Sequence, residues 1–127
     1  MTFLRTALVF AVLNLTILAQ GKNPDASDVS AAIVPGGVAI YAMLTNPTMY
    51  DVYVQSGTSD AGKVELREGA KATSNITIPS YGSVELKADG PFVMVSELKS
   101  QPKAGDTINL KLMTDGGVAI AIAAVVK

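Results

Sequence analysis

Beyond the polar stretch Asn23-Pro24-Asp25-Ala26-Ser27-Asp28, apolar side chains recur with a period near two rather than 3.6. That period belongs to strands. Val38, Ile40, Ala42 and Leu44 alternate with Ala39, Tyr41, Met43 and Thr45, so both faces of that strand are largely apolar and it reads as central in a sheet. Val64 and Leu66 alternate instead with Lys63, Glu65 and Arg67, the pattern of a strand with one wet face; residues 83–87 and 107–112 repeat it. The spacing predicts strands over residues 29–34, 38–44, 51–55, 63–67, 75–78, 83–87, 92–98, 107–113 and 118–126. Turn formers separate them: Pro35-Gly36-Gly37, Asn46-Pro47, Gly57, Asp60-Ala61-Gly62, Pro79-Ser80-Tyr81-Gly82, Asp89-Gly90-Pro91, Gly105-Asp106 and Asp115-Gly116-Gly117. About eight short strands with Gly and Pro turns indicate an all-β antiparallel sandwich or a Greek-key barrel. No stretch after residue 22 has the length, caps and period of a substantial helix. The run 118–126 is apolar at nearly every place and reads as a central strand against a second layer; as an edge it would invite pairing with another chain.

The first residues follow another pattern. Arg5 is the only charge before Lys22, and residues 6–19 are apolar but for Thr6, Asn14 and Thr16. A positive start followed by a short apolar run is the form of an export signal, and 14 residues fall short of the ~20 needed to span a bilayer. Residues 1–19 are therefore expected to be a signal peptide cut after Ala19, with an uncleaved N-terminal anchor as the rival, and residues 20–127 one domain. Residues 20–30 read as a linker. The expected location is periplasmic or secreted, with membrane contact only through an uncleaved N-terminal segment. No cysteine follows the apolar run, so none can be acylated there.

Composition narrows the chemistry. The 127 residues hold no His and no Cys. The usual general base, the thiolate nucleophile and the preferred ligands of zinc, iron and copper(II) are all missing. Without residues 1–19, nine Lys and Arg stand against eleven Asp and Glu, a net charge of −2, which argues against nucleic acid. Gly36-Gly37 and Gly116-Gly117 precede strands and read as turns, not as phosphate loops. Glu65, Glu68, Glu85 and Glu97 alternate with apolar residues and read as solvated strand faces rather than acid-base pairs. Serines and threonines have no partner base except lysine, so no enzyme is expected. Soft ligands reduce to the thioethers of Met43, Met49, Met94 and Met113. Met43 and Met113 lie inside predicted strands, where methionine more often fills gaps.

Several segments in succession resemble the PCu(A)C family of periplasmic copper chaperones. They are Pro35-Gly36-Gly37-Val38-Ala39, Tyr41-Ala42-Met43-Leu44-Thr45-Asn46, Val64-Glu65-Leu66-Arg67-Glu68, Ile78-Pro79, Gly82-Ser83-Val84-Glu85-Leu86-Lys87, Gly90, Met94, Leu98-Lys99 and Lys103-Ala104-Gly105-Asp106. The resemblance runs from about residue 27 to 126 and implies a cupredoxin-like sandwich. It also implies copper(I) held by two histidines and two methionines and delivered during assembly of the copper centre of cytochrome oxidase. Against that pattern this chain is a divergent member. Arg67 stands at the first histidine position and Phe92 at the second. The segment after Arg67 is shorter than the family's and lacks its methionine; only Met94 has a counterpart. No cofactor is then expected, copper(I) being possible only with additional ligands: Met49, Met43, a carboxylate or a partner protein. The resemblance implies an exported copper chaperone-like protein with little or no copper(I) binding of its own, whose partner would be an envelope or respiratory-complex assembly protein. The alternative is a non-metal protein-binding or scaffold module of the cell envelope. Arg67 and Phe92 either form a changed recognition surface or leave Phe92 plugging the gap of the missing loop.

Overall fold

The computed structural model describes residues 23–127. The expected signal segment, residues 1–19, lies outside them. Among the described residues there is no helix, and so none long and apolar enough to cross a membrane. Ten strands are present: β1 (Asp25–Val34), β2 (Gly37–Thr45), β3 (Val52–Ser59), β4 (Lys63–Glu68), β5 (Lys71–Ala72), β6 (Ile76–Ile78), β7 (Ser83–Leu86), β8 (Pro91–Ser96), β9 (Thr107–Thr114) and β10 (Ala119–Val125). They form two antiparallel sheets. One runs β1-β2-β8-β4-β5 with β7 also paired to β2; the other runs β10-β9-β3-β6. The fold is the all-β antiparallel sandwich that the alternation leads one to expect, of the cupredoxin-like kind that the resemblance implies.

The central place of β2 follows from its sequence. Val38, Ile40, Ala42 and Leu44 enter the core between the sheets, while Ala39 is buried on the opposite face. Leu66, Val93 and Val95 join them from β4 and β8. Val54, Ile76, Ile78, Leu110, Leu112, Ile120 and Ile122 come from the second sheet. With no cysteine to cross-link the layers, apolar burial at about 25 cal/mol per Å² is the chief favourable term.

Three expectations are corrected. The supposed linker over residues 20–30 is strand from Asp25 onward, because backbone pairing to β2 (Asp25 opposite Thr45) overrides the polar side chains. A bulge between Ser27 and Ser30, with Asp28 at φ 51°, absorbs the irregularity. Gly57 is inside β3, not a turn: a Cβ there would stand 2.5 Å from Val64 Cγ1, so glycine serves close packing. The run 118–126 is an edge strand. Its Ile120, Ile122 and Ala124 are buried, but Ala119, Ala121, Ala123 and Val125 face solvent, alanine being small enough to be apolar at little cost. Its last residues meet β1, where Lys127 N–H donates to the Ala31 carbonyl at 3.0 Å. The short β5, folded back on β4, has no alternation to announce it.

Candidate metal centre

The positions singled out by the resemblance meet on the outer face of the first sheet. In the antiparallel pairing of β4 with β8, Arg67 stands opposite Phe92, Glu65 opposite Met94, and Leu66 opposite Val93. Leu66 and Val93 point into the core, so Glu65, Arg67, Phe92 and Met94 share the other side. On β2, Ala39 is opposite Met94. Arg67 and Phe92, the two positions where the resemblance implies ligands, do converge.

Neither is free to act as a ligand. Arg67 Nη1 donates to Glu65 Oε1 at 2.7 Å and Nη2 to the Ala70 carbonyl at 2.6 Å. Its Nε is buried without a partner. The turn that supplies this carbonyl depends on Gly69 at φ +60°, and Gly69 N–H donates to the Gly90 carbonyl at 2.9 Å. Glu65 is half-buried and paired, not the solvated carboxylate the alternation suggested. Phe92 is 8% exposed and packs tilted on Tyr41, with ring centroids 6.1 Å apart and planes at 57°. A ring so covered offers little to a partner, which favours Phe92 as a plug over Phe92 as a recognition surface.

The methionines do not gather. Met43 shares the face of Met94 but lies four positions along β2 from Ala39, ~13 Å at 3.3 Å per residue. Two sulfurs on one ion at bonds near 2.3 Å can be at most about 4.6 Å apart, so both side chains would have to stretch toward each other along the sheet to share one. Met113 belongs to the other sheet, opposite Ala119, and Met49 stands exposed between β2 and β3. Among the described residues no three His, Cys, Asp or Glu come together as a metal site. One thioether, one paired carboxylate and a neutralised guanidinium do not fit a copper(I) ion, which wants several soft donors at once.

A family model described as "Putative lipoprotein LpqE-like" matches residues 24–126, the whole of the folded part. The chain belongs to the LpqE-like family. This LpqE-like chain has no cysteine that could carry a lipid, whatever the family's description. No curated protein matches it. Among solved structures it is similar to the copper-bound PCuAC domain from PmoF2 (15% identity, TM-score 0.70, covering 80% of this chain and 90% of that one). It is similar also to the apo PCuAC domain from PmoF1 (13%, TM-score 0.71, 80% and 91%). A third is the copper(I) form of DR1885 from Deinococcus radiodurans (26%, TM-score 0.64, 80% and 78%). The LpqE-like chain thus has the PCu(A)C fold, and the resemblance read from its segments holds.

Alternation alone announced part of this site. Residues two apart in a strand share a face, so Glu65 and Arg67 were bound to be neighbours. Sequence reasoning missed the Ala70 carbonyl and the Tyr41 ring, which need the β4–β5 turn and the β2–β8 register.

Proposed function

We propose that the protein is an exported, non-enzymatic relative of the PCu(A)C copper chaperones that holds little or no copper(I) by itself. Family and fold support the chaperone-like part. The observation that carries the second part is the Arg67–Glu65 pair beside the buried Phe92: both positions are committed to the protein's own packing and pairing. Met94 is the soft donor next to that pair, Met43 standing four positions along β2 from its partner Ala39, so copper(I) would need a second protein to complete its coordination. Arg5 and the apolar residues 6–19 support export. An intact chain recovered only from cytosol, by N-terminal mass analysis of cell fractions, would overturn that.

The deciding experiment is an anaerobic competition titration of copper(I) against a moderately strong chelator, with the parent and a Met94→Ala variant. The chelator should retain the metal in both. Stoichiometric binding by the parent that disappears in Met94→Ala would refute the proposal and show a rebuilt site. The alternative reading, a non-metal protein-binding module of the envelope, is favoured by tyrosines exposed at one end of the sandwich, remote from Met94.

A further inference from the structure

Four segments make that end. Asp25 pairs with Thr45, Thr45 with Ser83, Val52 with Ile78, and Val54 with Thr114, so residues 23–25, 46–51, 79–82 and 115–118 come together there. The middle two are fixed to each other. Asn46, fully buried, donates from Nδ2 to the carbonyls of Tyr50 at 2.8 Å and Ile78 at 3.0 Å, and its Oδ1 accepts from Thr48 N–H at 2.9 Å. Tyr81 N–H donates to the Thr48 carbonyl, and Ser80 N–H to Asp51 Oδ1, both at 3.0 Å. Tyr81 is held at φ 53°, a conformation unfavourable to a bulky residue unless its surroundings impose it.

On this hydrogen-bonded platform three large side chains stand out into solvent. Met49 is 61% exposed, and Tyr50 and Tyr81 are 73% each. Three of the four tyrosines (Tyr50, Tyr53 and Tyr81) belong to this end, and tyrosine is enriched where proteins bind. The same four segments contain Asp25, Asp51 and Asp115, all exposed, and no Lys or Arg. Asp51 and Asp115 each engage Oδ1 with a backbone N–H, of Ser80 and Tyr53.

From aromatic faces set among carboxylates we infer that this end docks a cationic, arginine-bearing segment of a partner protein. A guanidinium stacks on tyrosine while donating to a nearby carboxylate, and the fixed loops reduce the ordering cost of binding. A second copy of the same end would oppose like charge, as would an anionic bilayer. The inference rests on the protein-binding reading and not on copper: Thr45 is six positions along β2 from the partner of Met94, ~20 Å away.

The test is an amide chemical-shift titration of the labelled protein with a twelve-residue alternating Arg-Ser peptide, beside a Glu-Ser peptide and vesicles of phosphatidylcholine with phosphatidylglycerol. The Arg-Ser peptide should shift residues 46–51 and 79–82 saturably. Affinity should fall at least tenfold in the double variant Tyr50→Ser, Tyr81→Asn, asparagine being tolerant of positive φ. It should hold in Ile33→Ser, an exposed change near the opposite end. Tyr50→Ser alone, on an exposed loop, serves if the double variant does not fold. Shifts at these loops from Glu-Ser alone would keep a protein-binding end and overturn its cationic partner. Shifts from vesicles alone, concentration-dependent self-association through these loops, or no saturable shift there would overturn the inference outright.

Discussion

Histidine at positions 67 and 92, where the resemblance implies the family's ligands, should tighten copper(I) binding. The double variant Arg67→His, Phe92→His exploits the register: residues 67 and 92 are direct cross-strand partners, with Cβ atoms ~4.5–5.5 Å apart and on one face. Met94 is two residues beyond Phe92 on the same strand, ~6.6 Å on. Two imidazoles and a thioether would then surround one point, and removing the guanidinium leaves Glu65 as a favourable charge beside it. Going from one soft donor to three should tighten copper(I) binding at least about 100-fold, or about 2.7 kcal/mol. The change has a cost. Phe92 is buried and packed on Tyr41, and truncating such a ring to Ala costs about 3–5 kcal/mol; histidine refills part of the volume, so about 2–3 kcal/mol is expected. Urea unfolding must therefore accompany the copper titration, and binding should partly restore the lost stability by mass action. Adding Met94→Ala should remove most of the gain. A folded double variant that takes up copper(I) no more tightly than the parent would refute the reasoning, because it would show that convergence at 67 and 92 is insufficient without the longer loop.

Two further perturbations probe the scaffold. A Cβ at Gly37 would collide with the Val95 carbonyl, which is β8 backbone and cannot swing aside, whereas a Cβ at Gly116 meets nothing within 4 Å. Gly37→Ala should therefore lower unfolding stability by about 2–3 kcal/mol, while Gly116→Ala should be neutral or slightly stabilising; equal urea midpoints would contradict the packing account. Asn46→Ala strips two carbonyls and the Thr48 N–H of a buried partner, at about 2–4 kcal/mol. Hydrogen exchange should accelerate at Thr48 and Tyr81 before it does in β2, and unchanged protection there would show that the loops hold without Asn46.

How far the chain disclosed itself depended on whether neighbours in space were neighbours in pattern. Thr107–Thr114 alternates exposed and buried almost perfectly, and its alternation was visible at once because each residue's face is set by local geometry. Gly57 misled because glycine both turns chains and admits close approaches, and only the position of Val64 tells which. Residues 118–126 misled because alanine counts as apolar yet has little surface to hide. The convergence of Arg67 and Phe92 came from resemblance; that Arg67 and Glu65 share a face follows from alternation, and their ion pair from the structure. The tyrosine end was invisible, since nothing local brings the loop of Tyr50 to the loop of Tyr81. That juxtaposition comes from Asn46, whose amide reaches a carbonyl 32 residues away.

The outer face of the first sheet then shows how the fold is closed where the resemblance implies a metal site. A metal site on a strand pair keeps polar side chains open to an ion, and its backbone relies on neighbours for cover. Here Ala39 and Phe92 are buried on that same face, with Tyr41 against the ring. The guanidinium of Arg67 ties β4 to its own turn through Ala70. Phe92 and Arg67 each make a contact that closes the sheet surface, one by apolar area and one by charge-assisted hydrogen bonds. Such a face is stable without metal, and a return to metal binding must give up that packing, which is the cost the double-histidine variant measures.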